Sequence, residues 1–141
     1  MREFKIPGKI QAKQRPRFVN GRVYTPGQTV NYENLVKLCY SDYAMLHAWK
    51  LIEGAVRAEI EVFMPIPKSD SKKNKALKLD GAIRPTIKCD CDNAAKSILD
   101  SLNGIAYKDD SQVVELLVKK FYSDEPNVCV KLIELESDNN E

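Results

Sequence analysis

A regular alternation of apolar and charged residues between Ala55 and Met64 is the strongest constraint on how this chain can fold. Apolar side chains stand at every second position, and arginine or glutamate stands between most of them. A period of two is typical of a strand that buries one face and leaves the other in water. The apolar positions are Val56, Ala58, Ile60, Val62 and Met64, and the charged positions are Arg57, Glu59 and Glu61.

Local signals predict the elements before this strand. A first strand over 4–10 is weakened by Pro7-Gly8, and Asn20-Gly21 predicts a tight hairpin over 18–24. A long helix is expected from about 29 to 49, because apolar residues recur there at helical spacing. This helix carries more apolar groups than one face needs. The residues that define its period are Leu35, Leu38, Cys39 and Leu46.

Further elements are expected after the alternating strand. A second helix is predicted over 93–103, stopped by Gly104, with Ala95, Ile98, Leu99 and Leu102 on its core-facing side. Strands over 113–122 and 128–135 flank Ser123-Asp-Glu-Pro126 and predict a closing hairpin. The order predicts a single α+β domain over 1–141, with a mixed β-sheet of about four to five strands covered by two main helices. Residues 66–84 are expected to form a flexible basic loop, and 136–141 a frayed tail.

Composition narrows the class of protein. No run of 18 apolar residues is present and the charged start, Met1-Arg-Glu-Phe-Lys-Ile6, is unlike a secretory leader, so we expect a cytoplasmic protein with no membrane partner. Four cysteines do not make a disulfide scaffold at this length, so we expect reduced thiols. Cys89-x-Cys91 with His47 lacks the spacing of a usual zinc site.

Acidic residues are concentrated between Lys88 and Val114. Asp90 and Asp92 are two apart and leave the same face of an extended segment, with Asp92 where a helix N-cap belongs. Lys96 and Asp100 follow at one-turn intervals on one helix face. A polar turn then supplies another acidic pair, Asp109 and Asp110. Several carboxylates converging around one lysine are typical of a site for a hard divalent metal ion.

Each piece of this segment also has an ordinary structural interpretation. Asp92 alone could be a helix cap, the acidic turn could be common turn chemistry, and Lys96 could join Asp92 and Asp100 in a solvated ion-pair ladder. A calcium site is a further interpretation, although the ligand spacing of an EF-hand is absent.

Basic residues are concentrated in the other part of the chain. Residues 1–80 hold 15 Lys/Arg and 8 Asp/Glu, a net charge of +7, whereas residues 81–141 hold 7 and 12, a net charge of −5. Such asymmetry is expected where one part binds phosphates and another binds metal ions. The candidate DNA-binding residues are Lys13, Arg15, Arg17, Arg22, Lys72, Lys73 and Lys75. Phe18 and Tyr24 could stack on unpaired bases, or could pack in the core.

The acidic segment resembles a known family. The run Lys88-Cys-Asp-Cys-Asp-Asn-Ala-Ala-Lys96, then Asp100, Leu102-Asn-Gly104 and Asp109-Asp-Ser-Gln-Val113, is similar to the motifs of the RusA family of Holliday junction resolvases. Lys13-Gln-Arg-Pro-Arg17 and Arg22-Val-Tyr-Thr-Pro26 resemble the basic N-terminal segment of that family. The chain differs at Cys89, where the family often has a proline that would stiffen the approach to Asp90.

The resemblance implies a magnesium-dependent endonuclease that acts on four-way DNA junctions as a homodimer, with Mn²⁺ as a possible substitute. It implies that Asp90, Asp92 and Asp110 are metal ligands, with Asp109 or Asp100 as support or an additional ligand. Lys96 would contact the scissile phosphate or orient the nucleophilic water. The preference for Asp110 over Asp109 rests on motif alignment. The alternatives are a junction-binding module without chemistry and a less selective metal-dependent DNA nuclease.

Overall fold

The computed structural model describes residues 1–13, 16–24 and 27–136. Its strands are β1 (Arg2–Pro7), β2 (Arg17–Val19), β3 (Arg22–Tyr24), β4 (Val56–Pro65), β5 (Val113–Ser123) and β6 (Asn127–Glu134). Its α-helices are α1 (Gly27–His47), α2 (Lys72–Leu79) and α3 (Cys91–Ser101), and a short 3₁₀ turn covers Asp110–Gln112. The predicted α+β class is confirmed. No helix of the described residues is long and apolar enough to span a membrane.

Four strands form the main sheet, in the order β1-β6-β4-β5. Strand β4 pairs with β5 in parallel and with β6 antiparallel, so Ile60 lies opposite Val118 on one side and Val130 on the other. The prediction that β5 and β6 form a hairpin was therefore wrong, because β4 lies between them. The residues that join them, 124–126, need to cross only two strand spacings, about 9.5 Å, which a short extended segment can span.

The alternation along β4 is confirmed as an in-and-out pattern. Its five apolar side chains, from Val56 to Met64, are at most 1% exposed and form the centre of the core under the helices. Burial contributes about 1.5–3 kcal/mol for each of the larger side chains, Val56, Ile60, Val62 and Met64, and less for the single methyl group of Ala58. The N-terminal hairpin is confirmed as the two-stranded sheet β2–β3, with Asn20 and Gly21 both at positive φ (52° and 74°). Two consecutive residues at positive φ are what the tight two-residue turn requires.

Helix α1 turns a different face to the core than its leucines suggested. Tyr32, Val36 and Tyr40 are buried, whereas Leu38 and Leu46 are 59% and 77% exposed. Tyr40 packs edge-to-face on Phe4 of β1, with ring centroids 5.3 Å apart. Because apolar residues occur on several sides of this helix, its period could not select the buried face. The buried side chains Tyr32, Val36 and Tyr40, spaced four apart, form the face of α1 that packs on the core.

The segment over 66–84, predicted as a loop, contains helix α2. Ser71 caps this helix by accepting a hydrogen bond from the Asn74 amide (3.2 Å). Lys78 forms an ion pair with Asp70, and its ammonium group lies 4.7 Å from the Tyr122 ring centroid. None of the residues of α2 is buried, so the sequence carries no apolar pattern that would predict this helix. The predicted tail lies outside the described residues beyond Glu136.

Candidate active site

Helix α3 begins two residues earlier than the sequence suggested. Asp90, not Asp92, is its N-cap, with extended backbone (φ −74°, ψ 167°) and a side-chain oxygen that accepts a hydrogen bond from the Asn93 amide at 3.1 Å. Asp92 instead lies in the first turn. The interpretation of Asp92 as the cap was wrong, because either aspartate has suitable chemistry and only the approach of the chain selects one. One carboxylate oxygen of Asp90 thus already has a partner.

The two faces of α3 differ as predicted. Ala95, Ile98, Leu99 and Leu102 are buried. Asp92 and Lys96 are exposed on the other side, and Asp100 is half-buried. The ion-pair ladder considered for this face does not form: within the described residues Lys96 has no ion pair, and Asp100 pairs with Lys13 instead.

Asp110 lies against Asp100. The hydrogen bond between the two carboxyl groups, together with burial and the charge of Asp100, raises the pKa of Asp110. This contact joins the acidic turn to helix α3 across the gap between two sequence motifs. Two carboxylates in contact repel each other when both are ionised, so they require a shared proton or a cation.

Asp109 has a different role from its neighbour. Its side chain accepts a hydrogen bond from the Ser111 amide (3.0 Å) and caps the 3₁₀ turn. Hydrogen bonding from the Ser111 side chain, and then from its amide, lowers the pKa of Asp109, whose carboxylate is exposed. Spacing could not separate the two adjacent aspartates, whereas the structure gives Asp109 a capping contact and gives Asp110 a contact with the helix.

Gln112 clamps the acidic turn to the rest of the protein. Its side-chain oxygen accepts hydrogen bonds from the amides of Lys108 (2.9 Å) and Asp109 (3.1 Å). Its side-chain nitrogen donates to the carbonyls of Ile52 (2.9 Å) and Gly54 (3.0 Å). The side chain therefore closes a capping box and ties the turn to the segment before β4. Sequence analysis included Gln112 in the motif without assigning it this function.

A second anchor holds the turn to helix α3. Tyr107 is fully buried, and its hydroxyl donates a hydrogen bond to the Leu99 carbonyl at 2.6 Å. Burial raises the pKa of Tyr107, which keeps the hydroxyl protonated as a donor. The residue that begins the acidic turn is thus fixed to the last turn of the helix that bears Asp100.

The segment that leads to Asp90 is held by strand β5. The Lys120 ammonium donates to the Ile87 carbonyl (2.6 Å), and Arg84 donates to the Lys120 carbonyl while its guanidinium lies 3.9 Å from the Phe121 ring centroid. The Cys91 thiol points to the Val118 carbonyl (3.9 Å). Sequence analysis did not identify Arg84 or Lys120, because their partners lie 33–36 residues away along the chain.

The donor chemistry around Asp100 and Asp110 fits a hard divalent cation. Carboxylate oxygens are the ligands that Mg²⁺ prefers, and this pair has excess negative charge in its ionised form. However, in the described part of the chain no three Asp, Glu, His or Cys side chains are grouped to hold one ion. Asp92 and Asp100 are separated by about 12 Å along the helix axis, so they cannot ligate the same ion. The ligand set Asp90, Asp92 and Asp110 stays a prediction.

The predicted DNA-binding residues fall into three groups. Lys13 contacts Asp100, with 2.8 Å between its ammonium nitrogen and a carboxylate oxygen. Arg17 and Arg22 are exposed on the β2–β3 hairpin. Lys72 and Lys73 are exposed on α2 and Lys75 is half-buried. Arg15 lies outside the described residues. Within those residues, the cations of the hairpin and of α2 that were predicted to bind DNA form no ion pairs.

Phe18 lies on the same hairpin and is 72% exposed. Its partner across the hairpin, Val23, is 69% exposed. The alternative that Phe18 packs in the core was therefore wrong. The side chain of Tyr24 lies outside the described part of the structure.

Comparison with known proteins agrees with the motifs. The family described as Endodeoxyribonuclease RusA matches residues 7–133, nearly the whole chain. The chain is also 40% identical over 141 residues to the "Uncharacterized protein YqaN" of Bacillus subtilis (strain 168), covering 96% of this chain and 97% of that protein. The match includes β2, β3, α1 and the whole acidic segment, so the resemblance extends well beyond one short motif. The chain belongs to the RusA family of endodeoxyribonucleases.

Proposed function

We propose that this protein is a magnesium-dependent endonuclease that resolves four-way DNA junctions by paired, symmetric nicks. The observation that carries the proposal is the match of residues 7–133 to the RusA endodeoxyribonuclease family. In support, Asp100 of α3 raises the pKa of Asp110 in the acidic turn, so the two acidic motifs of the family interact, and Lys96 of the same helix has no ion pair among the described residues. A surface with these charges suits the cleavage of a phosphodiester with the help of a cation.

The ligand residues in this proposal are Asp90, Asp92 and Asp110. Bound Mg²⁺, or Mn²⁺ in its place, would supply an activated water and would stabilise negative charge at the phosphate. Asp90 has one carboxylate oxygen free of its capping bond, Asp92 is exposed two residues further along, and Asp110 is held by the Gln112 clamp. Asp109 is the weaker candidate, because its side chain caps the 3₁₀ turn.

Lys96 is proposed to contact the scissile phosphate or to orient the attacking water. Its ammonium group is exposed on the face of α3 that also carries Asp92. Because it forms no ion pair within the described residues, it can approach an anion without first breaking a salt bridge. A lysine in this position supports catalysis through charge and hydrogen bonding.

Selectivity for branched DNA is proposed to come from shape. Arg17 and Arg22 on the hairpin, and Lys72 and Lys73 on α2, would hold the phosphates of different arms. Phosphate contacts position a protein on DNA without reading its sequence, and binding through them weakens steeply with salt. The exposed ring of Phe18 would stack on an unpaired base at the crossover, a contact worth about 1–3 kcal/mol.

The protein is also proposed to act as a homodimer. A four-way junction offers two symmetric strands to cut, and a two-fold dimer presents two identical sites to them. The exposed apolar side chains of α1, Leu38, Met45 and Leu46, make this helix the candidate interface. Sedimentation analysis of the protein without DNA would give its mass in solution.

The test is cleavage of an end-labelled four-way junction beside a linear duplex of the same arm sequence, with Mg²⁺ or with EDTA. Wild type and Asp92→Asn are compared, and binding is followed by gel shift. We expect paired nicks on the junction alone, lost in EDTA and in Asp92→Asn while binding persists. Cleavage of both substrates would instead indicate the less selective nuclease.

A second candidate function is a junction-binding module without chemistry. It is favoured by the fact that no three potential ligands are grouped around one ion among the described residues. This alternative predicts that wild type binds the junction equally well with Mg²⁺ and EDTA and cuts it under neither condition.

A further inference from the structure

The N-terminal segment runs along helix α3 before it reaches the basic hairpin. Ile10 is buried in the core, and the carbonyl of Gln11 accepts a hydrogen bond from the Ser97 hydroxyl at 2.6 Å. Lys13 then reaches Asp100, three residues after Ser97 on the helix. These two contacts, about one helical turn apart, fix the course of residues 11–13 along α3.

The environment of Lys13 differs from that of the other predicted DNA-binding cations. Its ammonium nitrogen is 2.8 Å from an Asp100 carboxylate oxygen, and the two side chains are only 32% and 20% exposed. The hydrogen bond to Asp100 raises the pKa of Lys13. By contrast, Arg17 is exposed and has no ion pair within the described residues. A phosphate could bind Lys13 only by competing with a partly buried carboxylate.

Asp100 is the link between this lysine and the acidic turn. It accepts the hydrogen bond from Lys13 and also contacts the carboxyl group of Asp110. Without Lys13, Asp100 would be a partly buried carboxylate that has lost its ion pair, and it would repel an ionised Asp110. With Lys13 in place, the charge of Asp100 is balanced and Asp110 can lie beside it.

We propose that Lys13 is a positioning residue of the acidic site and not a ligand of DNA phosphate. It holds Asp100, and Asp100 holds Asp110 in the position from which it acts. The inference rests on the proposed function in so far as Asp110 is a metal ligand. Lys13 also precedes the basic hairpin in the sequence, so its ion pair with Asp100 anchors the described segment before the hairpin to the acidic site.

The first test measures DNA binding without metal. Junction affinity is determined in EDTA over a range of salt concentrations for wild type, Lys13→Met and the matched control Arg17→Met. Loss of a phosphate contact lowers the slope of log K against log salt by about 0.9 for each contact. We expect Arg17→Met to lower this slope by about 0.9 for each protomer that binds the junction. We expect Lys13→Met to have the same slope as wild type. An equal decrease for Lys13→Met would overturn the proposal.

The second test asks whether Lys13 acts through Asp100. We expect Lys13→Met to lower kcat about 10–100-fold, the usual effect of losing a residue that supports a metal ligand, with KM little changed. Lys13→Arg should keep most of the activity, because it can still pair with Asp100. Adding Asp100→Asn to Lys13→Met should restore activity about tenfold, since an amide needs no cation and can donate to Asp110. A double variant no faster than Lys13→Met would contradict the inference.

Failure of the proposed function can be distinguished from failure of this inference. If wild type binds the junction but cuts it with neither Mg²⁺ nor Mn²⁺, the nuclease proposal fails. The salt slopes in EDTA then decide alone whether Lys13 contacts phosphate. Thermal unfolding of each variant shows whether it is folded, and Lys13→Arg provides the comparison if Lys13→Met is not.

Discussion

Replacing Gln112 should loosen the acidic turn and destabilise the whole protein. The Gln112 side chain forms four hydrogen bonds, two as acceptor from the amides of Lys108 and Asp109 and two as donor to the carbonyls of Ile52 and Gly54. Gln112→Ala removes all four. The turn that carries Asp110 then loses its side-chain connection to the segment before β4, and the backbone bond from the Ile52 amide to the Ala106 carbonyl (2.9 Å) remains.

The expected magnitude follows from these bonds. A hydrogen bond contributes about 0.5–1.5 kcal/mol net, so four would contribute about 2–6 kcal/mol. Three of the four bonds lie at the surface, where water can replace the lost partner. We therefore expect the lower part of that range, about 2–3 kcal/mol. At roughly 3 °C per kcal/mol for a chain of this length, Tm should fall by about 6–9 °C.

The assay is urea unfolding with thermal unfolding beside it, on wild type, Gln112→Ala and Gln112→Met. Methionine has a similar volume but cannot form these hydrogen bonds, so it separates lost packing from lost bonding. Both variants should unfold at lower urea concentration with an unchanged m-value. If Gln112→Met were as stable as wild type, packing rather than the clamp would be the source of the effect. If both variants stayed within about 0.5 kcal/mol of wild type, the reasoning would be refuted.

Three further predictions concern the acidic site and the hairpin. Asp90→Asn should abolish cleavage but keep the stability of wild type, because asparagine also caps helices. Asp90→Ala should abolish cleavage and also lower the free energy of unfolding in urea by about 1 kcal/mol. Equal stability of the two variants would contradict the capping role. Phe18→Ala should leave Tm unchanged but weaken junction binding by about 1–3 kcal/mol if the ring stacks on a base, and unchanged affinity would exclude stacking. The raised pKa of Asp110, caused first by its bond to Asp100, means that ionising Asp110 costs the folded state stability. This cost is absent below the unfolded pKa of about 3.9 and grows as pH rises, so Asp110→Asn in EDTA should gain stability relative to wild type from pH 3 to pH 7. A constant difference across this range would show that the two carboxyl groups do not interact.

Local patterns predicted the parts of the fold that depend on near neighbours. The alternation of β4, the Asn20-Gly21 turn and the buried face of α3 were all recovered, because periodicity and turn chemistry act over a few residues. Where two local choices were equivalent, the sequence could not decide between them. Asp90 and Asp92 are both good caps, and α1 carries apolar residues on more than one face.

The sequence by itself determined the α+β class, most of the helices and strands, and the family motif of aspartates, lysine and glutamine. Only the tertiary structure decided that β4 separates β5 from β6, that Asp110 rather than Asp109 contacts α3, and that Lys13 pairs with Asp100. The reason is the distance along the chain: Lys13 and Asp100 are 87 residues apart, and Gln112 and Ile52 are 60 apart. Such contacts depend on how complete helices and strands pack together, which no local pattern records.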